Sequence, residues 1–318
     1  MISIIIPAYD EEESLAILYR EIEGVAHEHG LDVEVLFIDD GSRDRSWSVI
    51  STLAKEHPSV RGVRLRRNFG KAAALSAGVE TARGAIILTM DADLQDDPQE
   101  IPAFLEQIDQ GYDVVSGWKR VRHDPWHKVV PSRIFNFMVS WLTGVYLHDH
   151  NCGMKCCQSN VFREIRLYGE LHRFIPVLAA ARGFKVGEIV IKHRRRAFGR
   201  SKYGVRRFAK GFLDLLTVKF LTGFGERPSH ALGGAGLCCF AVGFAGMAYL
   251  SVTWIVNVFS PGAFLPLHDR PLLIYCVAAL LMGAQMMSMG FLAEMVTAYQ
   301  GRSDTFSIAE RTDTTESK

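Results

Sequence analysis

Acidic side chains recur directly after short apolar runs in the first third of the chain. Ile2–Ile6 is followed by Pro-Ala-Tyr-Asp-Glu at 7–11, and Val33–Ile38 by Asp-Asp-Gly-Ser at 39–42. Ala85–Met90 leads into Asp-Ala-Asp-Leu-Gln at 91–95. Carboxylates gathered at one place repel each other unless a cation is bound there. The pattern therefore indicates a divalent-cation site.

The third acidic segment carries the best candidate ligands. Asp93 and Gln95 are two residues apart, so both side chains point the same way from an extended segment. Carboxylate and amide oxygens favour Mg²⁺ or Mn²⁺, which proteins usually share with substrate phosphates. Such a cation would neutralise a diphosphate leaving group. An isolated Asp-x-Asp is more often a loop or a cap, and Asp44 is better explained as a helix N-cap than as a ligand.

The elements that must position these residues alternate between strand and helix. Strands are predicted at Ile2–Ile6, Val33–Ile38, Val60–Leu65, Ala85–Met90 and Val114–Ser116, and helices at Glu11–His29, Asp44–Glu56, Gly70–Ala82 and Pro98–Gln110. Asp97 is the expected N-cap of the last helix, with Pro98 at its first position. This alternation predicts an α/β fold with a mostly parallel sheet covered by helices on both faces. Ligands of such sheets bind beyond the carboxyl ends of the strands.

The pattern changes after Trp118. A basic loop, 119–131, precedes a predicted helix at 132–142, an irregular segment at 144–158, a helix at 172–182 and a strand at Lys185–Ile191. Over Tyr203–Leu221, apolar residues recur at helical spacing with basic residues between them. This favours an amphipathic helix lying on a membrane, and packing on the preceding domain is the alternative.

Two long stretches without Asp, Glu, Lys or Arg, 229–268 and 271–293, each exceed the roughly 20 residues that cross a bilayer. We therefore divide the chain into a catalytic domain at 1–202, amphipathic helices at 203–228, a hairpin of spans at about 231–257 and 271–294 within 229–298, and a polar tail at 299–318. The flank before the hairpin is strongly basic, whereas its connecting loop holds one Arg and no Lys. Both termini and the catalytic domain are thus expected in the cytoplasm. Met1 leads directly into the first strand, which indicates no export signal, and a bacterial inner membrane is the default location.

Composition excludes several other classes. The formal net charge of +1 argues against a nucleic-acid partner. Three of the six cysteines lie in the spans and three lie at 152–157. This distribution is not typical of a disulfide framework. Cys152 and Cys156 have no second Cys or His pair at zinc-site spacing. Glycines at 233, 236, 243 and 246 would permit close contact between spans, including those of a homo-oligomer.

Taken in order, the motifs resemble those of family-2 glycosyltransferases of the GT-A fold, a Rossmann-like sheet flanked by helices. They are most similar to the dolichol-phosphate mannose synthase and bactoprenol glucosyltransferase group, over nearly the whole chain. Asn-Phe-Gly-Lys at 68–71, Ser-Arg-x-x-Asn at 132–136 and Arg-x-x-Gly-x-Ser-Lys-Tyr at 196–203 belong to this resemblance. Asp10 departs from it, because the family more often has Asn there.

The resemblance implies an inverting, metal-dependent hexosyltransferase that uses a UDP- or GDP-linked sugar and a polyprenyl phosphate. The implied nucleotide-sugar contacts are Pro7, Tyr9, Glu11, Asp39, Asp40, Lys71, Asp91, Arg196, Ser201 and Lys202. The implied metal ligands are Asp91, Asp93 and Gln95. The lipid phosphate would be bound by Arg120, Arg122, Ser132 and Arg133, and Asp93, Arg120 and Arg133 would be the catalytic residues. Arg suits a phosphate because its guanidinium binds in a bidentate manner.

Two alternatives remain at this stage. A processive polysaccharide synthase is disfavoured because the sequence has no Gln-x-x-Arg-Trp motif and only two spans. A non-catalytic scaffold that binds nucleotide-sugars would be expected to lack metal ligands, yet all three are present. The identity of the sugar and of the base stays open.

Overall fold

The computed structural model describes residues 1–121, 126–165, 167, 169, 171–194, 211, 214–215, 217–219, 228–261, 263–267 and 270–299. Contacts divide the chain into two compact units, of which the first includes Met1–Thr222 and the second is Gly223–Thr305.

A seven-stranded sheet forms the centre of the first unit. Its strands are β1 (Ile2–Ala8), β2 (Val33–Asp39), β3 (Val60–Arg64), β4 (Ile86–Thr89), β5 (Val114–Trp118), β6 (Lys155–Gln158) and β7 (Val186–Val190). The spatial order is β3-β2-β1-β4-β6-β5-β7. Only β6 runs antiparallel to its neighbours, β4 and β5. The predicted parallel sheet is therefore confirmed. The sequence prediction missed β6, because it assigned residues 144–158 to an irregular segment.

Helices cover both faces of this sheet. They are α1 (Leu15–His29), α2 (Ser46–Glu56), α3 (Lys71–Thr81), α4 (Ile101–Asp109), α5 (Trp126–Thr143), α6 (Ser159–Glu164) and α7 (Ile175–Ala181), with 3-10 turns at Pro98–Glu100 and Leu171–Phe174. Successive residues of β1 enter different cores, because side chains alternate along a strand. Ile4 and Ile6 belong to the core with α1, whereas Ile5 belongs to the core with α3 and α7. The expected two-faced architecture is confirmed.

Helix α5 begins at Trp126, well before the predicted start at residue 132. The sequence prediction placed the boundary after Pro131, but this proline lies inside the helix. On one side α5 contributes Val139 to a third core cluster, which also holds Phe174 and Val177.

The segment predicted as a membrane-surface helix is described only at 211, 214–215 and 217–219, where it is helical. Its Leu215 and Val218 are fully buried in the third cluster with Val139 and Phe174. The described part therefore packs on the first unit, which was the alternative. Lipid contact by the rest of this segment stays a prediction.

The second unit contains α8 (Pro228–Phe259) and α9 (Leu272–Tyr299). Within them, Leu232–Phe259 and Leu272–Ala293 are long and apolar enough to cross a membrane. The two helices approach closely through glycines. A methyl group added at Gly236 would lie 2.8 Å from the carbonyl oxygen of Gly283, and one at Gly243 would lie 2.8 Å from the amide nitrogen of Leu280. Small residues thus form the contact between these helices, as is usual in membranes.

Candidate active site

The acidic segments meet because β3, β2, β1 and β4 are neighbours and parallel. Their carboxyl ends therefore lie at one edge of the sheet. The loops after β1, β2, β3 and β4 carry the predicted nucleotide-sugar and metal residues, and hydrogen bonds between these loops fix their arrangement.

The loop after β1 is held by Ser42 of the loop after β2 and by Ser46, the first residue of α2. Ser42 Oγ accepts from the Asp10 amide at 3.0 Å, and Ser46 Oγ accepts from the Glu11 amide at 2.9 Å. Asp10 adopts a left-handed conformation with φ 53°, which Asp and Asn tolerate better than most residues. Pro7, Tyr9 and Glu11 are all partly exposed, as residues that line an open pocket must be.

The two aspartates at the carboxyl end of β2 accept hydrogen bonds from backbone amides. Asp39 is fully buried, and its Oδ1 accepts from the Ser42 amide at 2.9 Å. Both carboxylate oxygens of Asp40 accept backbone amides of the loop after β3, from Phe69 at 2.7 Å and from Gly70 at 2.9 Å. Burial raises the pKa of Asp40, although these two amides stabilise its charged form. Asp40 thus shapes the loop that ends in Lys71.

Lys71 begins α3 and forms an ion pair with Asp91 across the edge of the sheet. Burial acts to raise the pKa of Asp91, but attraction by Lys71 and Lys119 lowers it well below its usual value. Gly153 lies directly against this carboxylate, so that a methyl group there would overlap it. Asp91 is therefore ionised and tightly enclosed on one side.

The predicted metal ligands lie on a turn after β4, and not on the extended segment that the sequence analysis assumed. Asp91, Asp93 and Gln95 are partly exposed, whereas the intervening Ala92 and Leu94 are buried. Leu94 has φ 60°, an uncommon conformation for a bulky residue. Its buried side chain, part of the main core, holds the turn in place.

Two carboxylates and one amide fit Mg²⁺ or Mn²⁺ by chemistry, since both ions prefer oxygen ligands. No group of three His, Cys, Asp or Glu side chains suited to a metal occurs among the described residues. Asp91, Asp93 and Gln95 would supply part of a coordination shell, which is usual for cations that are shared with substrate phosphates.

Residues 192–194 lie just before the Arg-x-x-Gly-x-Ser-Lys-Tyr stretch at 196–203. They form hydrogen bonds with the segment that follows β4. Arg194 forms ion pairs with Glu21 and Asp97, both at 2.7 Å, and its amide donates to the Gln95 carbonyl oxygen at 2.9 Å. His193 Nε2 lies 3.3 Å from Gln95 Nε2. The sequence analysis assigned no role to Arg194, because the order of residues does not reveal its distant carboxylate partners.

The ion pair between Lys119 and Asp96 was also not predicted from the sequence. Lys119 Nζ lies 2.7 Å from Asp96 Oδ1. Burial acts against the charged form of Lys119, but attraction by Asp96 raises its pKa above the ordinary value. Burial also raises the pKa of the nearby Cys152 to about 12, which excludes a reactive thiolate at neutral pH. Cys152 is a buried, free thiol, and this environment suits a structural role.

The loop 148–153 is fixed by partners from three elements. Glu188 of β7 accepts the amides of His148 at 2.9 Å and Asp149 at 3.0 Å. Asn136 of α5 donates to the His148 carbonyl oxygen at 2.9 Å. His148 stacks on Trp118, with ring centroids 3.9 Å apart. Asn136, part of the Ser-Arg-x-x-Asn stretch, is thus a structural residue that holds α5 to this loop.

The predicted lipid-phosphate residues are only partly described. Arg120 and Arg133 are exposed, and Ser132 is partly exposed. Three of these four therefore remain accessible to a ligand. Arg122, Arg196, Ser201 and Lys202 lie outside the described residues, so their predicted roles stay predictions.

Comparison with known proteins identifies the family. The family model described as "Glycosyl transferase family 2" matches residues 3–165, just over half of the chain, including the loops after β1, β2, β3 and β4. The chain belongs to this family. The resemblance found in the motifs is thereby confirmed, and the protein is a glycosyltransferase.

Relatives of this family-2 enzyme match it over nearly its whole length. It is 34% identical to dodecaprenyl-phosphate galacturonate synthase of Rhizobium johnstonii, over 95% of this chain and 89% of the relative. It is 35% identical to undecaprenyl-phosphate 4-deoxy-4-formamido-L-arabinose transferase of Pseudomonas aeruginosa, over 95% of this chain and 85% of the relative. Both alignments are too long to stop at the catalytic domain and must include residues of the apolar helices.

Solved structures of lower identity confirm the fold of this glycosyltransferase. Mannosyl-3-phosphoglycerate synthase from Rubrobacter xylanophilus is 16% identical with a TM-score of 0.54, covering 69% of this chain and 72% of that one. Glucosyl-3-phosphoglycerate synthase from Mycobacterium tuberculosis, in complex with Mn²⁺ and UDP-glucose, is 17% identical with a TM-score of 0.52, covering 70% and 78%.

Proposed function

We propose that the protein transfers a sugar from a nucleotide-sugar to a polyprenyl phosphate, with inversion at the anomeric carbon. The observation that carries this proposal is the alignment over 95% of the chain with a relative named as a polyprenyl-phosphate sugar synthase. The acidic sheet edge supports a diphosphate donor, and the two apolar helices suit an enzyme whose acceptor is a lipid.

In this reaction a phosphate oxygen of the lipid attacks the anomeric carbon from the side opposite the nucleotide. The new carbon–oxygen bond forms as the bond to the donor diphosphate breaks, and the nucleoside diphosphate leaves. A lipid phosphate is a dianion near neutral pH and needs no strong general base. Arg120 and Arg133 are proposed to hold it, because Arg binds phosphate in a bidentate manner.

On the donor side, Lys71 is proposed to bind the diphosphate while its ion pair keeps Asp91 ionised. Pro7, Tyr9 and Glu11 would line the nucleotide pocket, on the loop that Ser42 and Ser46 hold in place. Arg196, Ser201 and Lys202 are proposed to complete the site. These groups act by positioning and by stabilising charge.

Metal dependence is proposed as well, with Asp91, Asp93 and Gln95 as ligands of Mg²⁺ or Mn²⁺. When bound, the cation supplies Lewis-acid stabilisation of the leaving diphosphate. The support is the set of partly exposed oxygen donors after β4 and the Mn²⁺ bound by the glucosyl-3-phosphoglycerate synthase of the same fold. The protein is further proposed to be a multi-pass inner-membrane enzyme with its catalytic domain in the cytoplasm.

The test uses membranes that contain the protein, undecaprenyl phosphate, Mg²⁺ or Mn²⁺, and a panel of radiolabelled UDP- and GDP-sugars. Label transferred into the organic phase from one donor, and abolished by EDTA, is the expected result. Asp93→Ala should lower the rate by ~100-fold or more, as expected for loss of charge stabilisation at the reacting centre.

Asp109→Ala is the matched control, since Asp109 is an exposed carboxylate at the end of α4, outside the site. It should keep full activity. Nucleotide-sugar binding without lipid labelling from any donor would contradict the proposed acceptor and favour the scaffold alternative.

A further inference from the structure

The side chain of Gln95 is held by a residue that is distant in the sequence. Its amide nitrogen Nε2 lies 3.3 Å from Nε2 of His193, which is 98 positions further along the chain. An amide nitrogen has hydrogens to donate but no lone pair with which to accept, so the imidazole nitrogen must be the acceptor. Gln95 therefore donates to His193, and its carboxamide oxygen Oε1 is left for another ligand.

The orientation of this carboxamide decides whether Gln95 can bind a cation. Mg²⁺ and Mn²⁺ bind the oxygen of an amide and not its NH₂ group. In the part of the chain that the structure describes, no hydrogen bond engages Gln95 Oε1, whereas the Gln95 backbone amide donates to Asp93 Oδ1 at 3.2 Å. The bond to His193 thus selects the orientation in which the oxygen is available.

The backbone around His193 is joined to the backbone around Gln95. His193 forms an isolated antiparallel bridge with Asp96, and the amide of Arg194 donates to the Gln95 carbonyl oxygen at 2.9 Å. The Arg194 guanidinium adds an ion pair with Asp97 at 2.7 Å. The imidazole and the carboxamide are therefore carried by two segments that bond to each other, and the fold determines the distance between them.

We propose that His193 is a positioning residue of the cation site, which accepts from Gln95 Nε2 and thereby presents Gln95 Oε1 to Mg²⁺ or Mn²⁺. The proposal rests on the proposed function, in which Gln95 is a ligand of the cation. A glutamine side chain has several rotatable bonds, and ordering them during binding costs affinity. A carboxamide that is ordered beforehand avoids this cost. His193 itself would not touch the cation.

Two other roles for His193 compete with positioning. An imidazole can bind a metal directly, but Nε2 of His193 is already engaged by Gln95, and Mg²⁺ prefers oxygen ligands. A purely structural role, in which the ring only fills space beside the loop after β4, would not need an acceptor nitrogen. Both roles are treated as outcomes that would overturn the proposal.

The test measures cation binding without any assay of activity. The full-length protein in detergent is titrated with Mn²⁺ in the presence of UDP, and in a parallel series with GDP, while the EPR signal reports free Mn²⁺. His193→Leu keeps much of the volume of the ring but removes the acceptor, whereas His193→Gln keeps an acceptor at a similar reach. We expect His193→Leu to raise the Kd for Mn²⁺ at least about tenfold, and His193→Gln to raise it less than about threefold. Equal losses in the two variants would overturn the proposal.

A double-mutant cycle with Gln95→Ala separates positioning from direct binding. Gln95→Ala should itself weaken Mn²⁺ binding. Adding His193→Leu to it should change the Kd by less than about twofold, because no carboxamide is then left to position. A further large loss in the double variant would show that His193 acts on the cation by another route, and it would overturn the proposal. Absence of measurable Mn²⁺ binding by the unaltered protein with either nucleotide would do the same.

His57→Leu is the matched control. Like His193, His57 is a partly exposed histidine, but it lies between α2 and the start of β3, at the end of the sheet opposite the acidic loops. This variant should leave the Kd for Mn²⁺ unchanged.

The dependence of sugar transfer on Mn²⁺ gives a second readout. His193→Leu should need at least about tenfold more Mn²⁺ for its half-maximal rate. Its rate at saturating Mn²⁺ should approach that of the unaltered enzyme, because Asp91 and Asp93 still bind the cation. A rate that stays low at saturation would contradict a role confined to positioning. Absence of transfer by the unaltered enzyme, together with the expected pattern of Mn²⁺ affinities, would contradict only the proposed function.

Discussion

The position of the Asp91 carboxylate depends on Gly153, which has no side chain. The carboxylate lies against Gly153, and Lys71 bonds it from the other side. Thr89 Oγ1 donates to the Gly153 carbonyl oxygen at 2.8 Å and so fixes the backbone at this contact. The enclosure leaves no room for a methyl group, so the geometry of the acidic loop depends on glycine at this position.

Gly153→Ala is therefore expected to displace Asp91 and to reduce transfer by ~10-fold or more, in line with the cost of misplacing a reacting group. The measurement is the rate of sugar transfer at saturating donor, together with the affinity for the cation. Gly24→Ala is the control, because Gly24 is in α1 with no atom near the added methyl group. It should keep full activity and gain up to about 1 kcal/mol of helix stability. An active Gly153→Ala enzyme would show that Asp91 tolerates movement.

His150 is a fully buried residue whose Nε2 lies 3.0 Å from Ser140 Oγ. Burial, followed by repulsion from Lys155, lowers its pKa to about 4. The folded protein therefore keeps this imidazole neutral, whereas the unfolded chain protonates it below its ordinary pKa of about 6.5. Stability from this group is complete above about pH 6.5 and is lost as the pH falls toward 4.

Replacing His150 by Gln should accordingly flatten the pH dependence of thermal unfolding between pH 7 and pH 4.5. Between pH 7 and pH 4.5 the unaltered protein should lose up to about 3 kcal/mol more of its free energy of unfolding than the variant. Each pKa unit corresponds to about 1.4 kcal/mol. Scanning fluorimetry of the detergent-solubilised protein measures it. Parallel melting curves for the two proteins across this range would show that His150 titrates normally in the folded state.

At the scale of elements, local patterns predicted the first half of the sheet well. β1, β2 and β4 are rich in apolar residues, each of the strands β1 to β4 is followed by a helix, and the parallel order brings the acidic loops together. The strand β6 was missed because Lys-Cys-Cys-Gln contains no β-branched or aromatic residue, and its place between β4 and β5 depends on distant partners. Tertiary contacts outweigh local propensity in such cases.

The start of α5 and the partners of Arg194 were missed for related reasons. A proline usually ends or begins a helix, yet Pro131 lies within α5. The pairing of Arg194 with Glu21 joins residues 173 positions apart in the chain. The acidic loops, in contrast, could be predicted because each follows its own strand directly.

The α8–α9 hairpin gives a prediction about element packing. A Cβ atom at Gly246 would lie 3.6 Å from the Cβ of Cys276, which is within the usual range for a disulfide. Gly246→Cys is therefore expected to form a disulfide with Cys276 under mild oxidation in membranes. Mass spectrometry of non-reduced peptides detects the link.

Gly233→Cys serves as its control, since nothing lies near a side chain added at that position. It should leave Cys276 reduced. Adding Gly243→Leu to the Gly246→Cys variant should decrease the yield of the disulfide. Even a methyl group at Gly243 would lie 2.8 Å from the amide nitrogen of Leu280, so a leucine there would force the two helices apart. A link that forms equally from both cysteine positions would mean that the helices slide freely.

At the scale of the whole molecule, the charge distribution along the chain determines the expected orientation in the membrane. Basic residues concentrate before α8, at Arg206, Arg207, Lys210, Lys219 and Arg227. The loop between α8 and α9 contains Arg270 as its one basic residue other than histidine, and Arg270 donates to Thr253 of α8 at 2.8 Å. Cytoplasmic loops carry the excess of Lys and Arg, so this difference predicts that the catalytic unit and the C-terminus are cytoplasmic.

This orientation gives the last prediction. Alkaline phosphatase folds only outside the cytoplasm, so a fusion after residue 261 should be active, whereas a fusion at the C-terminus should be inactive. A fluorescent protein that matures only in the cytoplasm should give the opposite pattern at the same two sites. Placing three lysines in the loop at 263–267 should weaken or reverse the pattern, because it removes the charge difference that orients the hairpin. Phosphatase activity from the C-terminal fusion of the unaltered protein would contradict this orientation. It would also contradict the proposed reaction, because the acidic sheet edge would then lie outside the cytoplasm, away from the nucleotide-sugars.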